Sequence, residues 1–246
     1  MKSAKFALLT TNEHLALKLN PINNYSFAKN NHLVSVVLHE LPKMSANYPV
    51  VFVKNQDTGK FMPMALLGLE PNNNLFVSES GVWLPGTYIP AAFRRYPFAL
   101  TRTDAETMAL CIDMQSDCFS EAEGISLFNA QGEASEELEK IKGFIFELFQ
   151  SELLAESFCE RLVELDLLVP NGFKVQGPDG VKHYDGSFIV DEQRLATLKD
   201  DDFMSLRQSG YLPAIYAHLI SLLQVDKFGA LRASESNQDV VTHPAN

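Results

Sequence analysis

The sequence predicts an α+β fold: an antiparallel β meander in the N-terminal half packed with C-terminal helices and a late β-hairpin. Three observations carry this. Short β-branched and aromatic runs, separated by Asn, Gly and Pro turns, occupy residues 48–114. Apolar residues at helical spacing fill residues 133–166. Strand signals return once more, at residues 173–190, ahead of a final helix. Strands and helices segregated in this way indicate α+β rather than a parallel α/β sheet.

The elements follow in order. Residues 1–30 are rich in Asn, Lys and Ser and read as an extended N-terminal arm. Leu33–Leu38 reads as a strand or the start of a short helix, and Pro42 suits a first helical turn. Pro49–Lys54 and Phe61–Leu69 form a hairpin about the Asn55–Gly59 turn, and Leu75–Val77 with Val82–Leu84 form a second. Pro90–Tyr96 is a short helix that Pro97 ends. Phe98–Thr101 and Met108–Met114 are two further strands. A long helix follows, with Ser135 as N-cap and Gly143 and Gln150-Ser151 as points where it bends or splits. Phe173–Gln176 and Val181–Val190 make the late hairpin, Asp191 opens a short helix, and the last helix runs from Tyr211 to about Val225 with Pro213 in its first turn. Residues 31–232 form one α+β domain on this reading, and 233–246 a polar, flexible tail.

Totals narrow the function classes. No run reaches the roughly 18 uninterrupted apolar residues of a membrane span; the most apolar stretch, Tyr211–Val225, contains Pro213, His218, Ser221 and Gln224. The first residues lack the h-region of a secretory signal, so a cytoplasmic location is expected. Cys111, Cys118 and Cys159, odd in number and irregular in spacing, read as small buried hydrophobes rather than disulfide or zinc partners. Net charge is −11, yet residues 1–103 carry 10 Lys and Arg against 5 Asp and Glu. Such asymmetry marks either a binding surface or a well-solvated acidic helical face. Nucleic acid is not an expected partner, because most of the chain repels phosphate.

Two constellations can carry chemistry. His183-Tyr184-Asp185 with His218 supplies the residue types of a non-haem iron site, so iron or another divalent metal is the alternative to the expectation of no cofactor. Against it, His218 falls within a helix, where a core histidine with satisfied nitrogens is the competing reading. Arg94, Arg95 and Tyr96, with Trp83 and Tyr88, form the second set, suited to clamping a carboxylate or phosphate on a partner. Pairing of those arginines with the acidic half is its competing reading. Phosphate-binding glycine loops and the common hydrolase motifs are absent from the sequence.

The run Tyr48-Pro-Val-Val-Phe-Val-Lys54, then Ala65-Leu-Leu-Gly-Leu69, Asn74-Leu-Phe76, Tyr88-Ile-Pro90 and Arg94-Arg-Tyr-Pro-Phe98, resembles the SapC family. Leu110-Cys-Ile-Asp113, Leu127-Phe128, Val190-Asp-Glu192 and Gly210-Tyr-Leu-Pro-Ala-Ile-Tyr-Ala-His-Leu219 extend the resemblance over roughly residues 6–226. It implies a bacterial protein without an assigned activity. It also implies a surface-layer locus association and neighbours such as TonB-dependent receptors, flavin-dependent halogenase-like proteins and cupin-like oxygenase proteins. No catalytic residue is implied. The expectation is an accessory component that binds a peptide or protein partner through the sheet half, with an unusual metal-dependent enzyme as the alternative.

Overall fold

Residues 5–103, 107–177 and 180–232 are described by the computed structural model; the expected 233–246 tail lies outside them. Strand β1 (Phe6–Leu8), helix α1 (Thr11–His14) and strand β2 (Lys18–Leu19) come first. β3 (Leu33–Ser35) is followed by a 3-10 turn and α2 (Leu41–Met44), with Pro42 in its first turn, where a missing N–H costs nothing. β4 (Val50–Lys54) and β5 (Phe61–Leu66) form the expected hairpin. Asn55 shapes its turn, the side-chain oxygen accepting from the N–H groups of Asp57 and Thr58, and Gly59 supplies the left-handed residue at φ +70°.

The second expected hairpin is reduced to a single bridge, Val77↔Trp83. Buried Asn74 diverts the chain ahead of it, donating to the Ala28 carbonyl and accepting from the Phe76 N–H. α3 (Ala91–Arg94), β6 (Phe98–Arg102), β7 (Met108–Asp113), β8 (Phe119–Ser120) and β9 (Ile125–Ser126) follow. α4 (Glu136–Glu164) runs through Gly143 and Gln150-Ser151 without a break; Gly143 has open space around it, and Ser135 Oγ accepts from the Leu138 N–H as N-cap. β10 (Leu168–Gly177) and β11 (Gly180–Val190) make the late hairpin, longer than the sequence signal. Asp191 caps α5 (Glu192–Ala196) by accepting from the N–H groups of Gln193 and Arg194. α6 (Asp200–Gln208) is not among the elements read from the sequence, although its Asp200-Asp201-Asp202 start suits a helix dipole. α7 (Leu212–Ser221) has Pro213 in its first turn and runs on into a 3-10 helix, Leu222–Asp226.

These elements gather into two units, each made of two chain segments. The first lies within Met1–Asn23 and Ala91–Gln150. It holds two three-stranded sheets, β1-β7-β6 and β8-β2-β9, and a core of Phe98, Ile112, Leu127, Leu138 and Ile145. The second lies within Asn24–Pro90 and Ser151–Asn246. Its antiparallel five-stranded sheet has the order β10-β11-β4-β5-β3. α4 contributes residues to both units. The architecture is α+β, as the sequence predicts.

Period-two alternation decides which side of the second sheet is dry. Val50 and Phe52 on β4, Ala65 on β5 and Val34 on β3 fall on one face and are fully or almost fully buried. Phe52 meets Phe158 of α4 and His218 of α7, with ring centroids 6.0 and 4.9 Å apart. Val51, Val53, Leu33 and Leu66 fall on the opposite face, where Val51 is fully buried and the other three are only partly covered.

Candidate functional site

That second face is where the candidate site forms. A cleft of about 360 Å³ opens over Val51, Val53, Leu33 and Leu66, walled by Phe173 and residues 183–187 of the β10–β11 hairpin and rimmed by Gly68, Leu69 and Pro71. His32 completes the lining. Two features of the hairpin create the wall. Its ladder shifts register between Asn171 and Phe173, leaving Asp185-Gly186 opposite Gly172, and a bulge of this kind bends the strand that carries it. Gly186 takes φ +94°, and a Cβ on Gly172 would collide with the Asp185 carboxylate. Lys182 then reaches Glu70 beyond the rim, 2.6 Å from Nζ to Oε1, which holds the Glu70 carboxyl below its usual pKa.

β11 meets β4 at one register pair, Phe188↔Phe52. Two residues on, Val190 and Val50 stand opposite each other, and an imidazole occupies the space between them. The Val190 N–H donates to His218 Nε2 (3.1 Å), and His218 Nδ1–H donates to the Val50 carbonyl (2.9 Å). Those partners fix the tautomer. Complete burial holds the imidazole pKa down, to about 4, against the opposing pull of the Val50 carbonyl. Ser221 fastens the same helix, accepting from the Val50 N–H and donating to the His218 carbonyl.

The expected metal set is therefore divided. His183 and Asp185 line the cleft, while both His218 nitrogens are committed to backbone groups in the core. Among the described residues no group of three His, Cys, Asp or Glu side chains converges to hold a metal ion.

The second sequence-derived set draws on both units. Trp83 and Tyr88 belong to the second unit, and neither lines the cleft. Trp83 is buried against Tyr25, ring centroids 5.6 Å apart, and its indole N–H donates to Thr87 Oγ1. The Tyr88 hydroxyl donates to buried Glu40 at 2.5 Å, and its carbonyl accepts from the Tyr48 hydroxyl, whose pKa burial raises to about 12. Arg94, Arg95 and Tyr96 belong to the first unit. The Arg94 guanidinium lies over the Phe144 ring at 5.3 Å, and the Tyr96 hydroxyl donates to Asp113 Oδ2 at 3.4 Å.

All three cysteines are free, and burial raises the pKa of each; Cys159, buried beside Glu156 and Glu160, is raised to about 12. A thiol held protonated is a poor nucleophile.

Sequence reasoning missed the cleft. Its floor strand was legible as the β-branched and aromatic run Val50–Lys54, but its wall depends on a bulge and on a hairpin tied to Glu70, neither of which leaves a local pattern. Chemically the lining is apolar below and polar on one side, and Asp185 is the one Asp, Glu, Lys or Arg among the lining residues described. Among the described residues no helix is long and apolar enough to cross a membrane.

Fold and site together define an α+β protein with a small-ligand or peptide-sized cleft on the open face of an antiparallel sheet. The chain belongs to the SapC family, whose model matches residues 9–228. No curated protein and no solved structure matches it.

Proposed function

We propose that the protein is a cytoplasmic accessory component of a bacterial uptake or modification system, and that it binds a peptide or protein segment in the cleft of its second unit. One observation carries the reading. The cleft's volume of about 360 Å³ falls in the range of ligand sites, and it combines an apolar floor with a few polar groups on one wall. The partners in view are those the family resemblance implies: TonB-dependent receptors, halogenase-like proteins and oxygenase-like proteins. Affinity co-purification of the tagged protein with each of these tests the reading. Association that survives in the wild type and is lost in Val53→Asp supports it; no association with any of them removes it. Arg94→Ala and Arg95→Ala in the same assay test the arginine cluster as a second contact.

A metal-dependent enzyme is the second reading, resting on His183 and Asp185, which share the cleft. Elemental analysis of protein purified without chelators tests it: stoichiometric iron or zinc that falls in His183→Ala supports it, and metal at trace level removes it.

A further inference from the structure

The cleft's wall is a strand edge, not a strand face. Side chains alternate along a strand, so a face turned to a cavity contributes every second residue. Here residues 183–187 all line the cleft in succession. One edge of β11 is paired with β10 along most of its length. On its other edge, among the described residues, pairing with β4 is confined to Phe188↔Phe52, and the Val190 N–H is taken by His218. Along residues 183–187, which line the cleft, no described strand pairs with that edge, so by the alternation of a strand every second residue's N–H and C=O are left to it. Such an edge is a template for another extended chain.

The surroundings narrow the occupant. Val51, Val53, Leu33 and Leu66 form a floor that suits apolar side chains. With Asp185 the sole Asp, Glu, Lys or Arg in the described lining, the cleft has no Lys or Arg for a phosphate and one carboxylate for a polycation; an uncharged main chain fits it. The open edge spans five residues, about 16 Å at the rise of a strand. The Lys182–Glu70 ion pair holds the hairpin at one end of that length, and the Phe188↔Phe52 rung closes the other.

We propose that the cleft takes an extended peptide segment, which pairs main chain to main chain with the edge of β11 at residues 183–187 and seats alternate apolar side chains over Val53 and Leu66. This rests on the peptide-binding reading above and specifies its mode.

The test is selection of a displayed library of random heptapeptides on the immobilised full chain. The best sequence is then synthesised, and fluorescence anisotropy is measured with and without N-methylation at alternate amides. The expected outcome is selected sequences with apolar residues at every second position, at least tenfold weaker binding on N-methylation of one alternate set, and loss of binding in Val53→Asp. Far-ultraviolet circular dichroism checks that Val53→Asp is folded, and Val53→Thr, close in size and uncharged, serves as the second variant, with weaker binding expected. No enrichment, or enriched peptides indifferent to both N-methylation and Val53→Asp, overturns the proposal. The two readings fail separately. Co-purified partners with peptides indifferent to N-methylation sink the pairing mode, whereas N-methylation-sensitive peptides without co-purified partners sink the partner assignment.

Discussion

Val190 and Val50 face each other across β11 and β4 but do not bond directly; the His218 ring joins the N–H of one to the C=O of the other. A side chain thus stands in for a rung of the ladder, and it does so at the root of the hairpin that walls the cleft. Replacing His218 with Leu leaves both backbone groups buried and unpaired, at about 1–3 kcal/mol each. Urea denaturation is expected to show a loss of at least about 2 kcal/mol.

The same ring makes stability depend on pH. Unfolded, the imidazole titrates near its ordinary 6.5; folded, burial holds it at about 4. Above pH 6.5 both states are neutral and the contribution is complete. As pH falls from there to about 4, the unfolded chain takes up a proton that the folded chain refuses, and about 3 kcal/mol is lost. His218→Gln can keep both hydrogen bonds without titrating. Its stability between pH 6.5 and 4 should fall by one proton less than the wild type's, and equal slopes would contradict the assignment.

Two glycines should respond oppositely to alanine. A Cβ on Gly68 collides with the Asn73 carbonyl at the rim of the cleft, so Gly68→Ala is expected to cost about 2 kcal/mol or more. Gly143 lies within α4 with open space around it, and Gly143→Ala should stabilise by about 0.5–1 kcal/mol. Thermal melts of the two variants measure both.

The Lys182–Glu70 pair is exposed, with more than a third of each side chain accessible, and so contributes under about 1 kcal/mol to global stability. Its role is local. Lys182→Ala should leave the denaturation midpoint nearly unchanged while amide hydrogen exchange quickens across residues 180–187. Unchanged exchange there would show that the bulge alone positions the hairpin.

Local signals made part of this structure legible. The β4–β5 hairpin declares itself through Val50–Lys54 and the Asn55–Gly59 turn, α4 through its apolar spacing, and α5 through the Asp191 cap. The cleft and its anchor were not legible, because they join residues with no local relation: His218 lies 168 residues from Val50 and 28 from Val190. The histidine's helical setting did point to a core role for it, which separates it from His183 and Asp185. The arginine and aromatic residues near position 90 form one cluster in sequence, yet the chain passes from one unit to the other between Pro90 and Ala91.

The interleaving of the units bears on synthesis. Phe6–Leu8 pairs with Cys111–Asp113, about a hundred residues later. At the roughly 5–20 residues per second of translation, that first strand waits some seconds on the ribosome before its partner emerges. Throughout that interval Phe6 and Leu8, both exposed even in the finished fold, are open to capture by a chaperone.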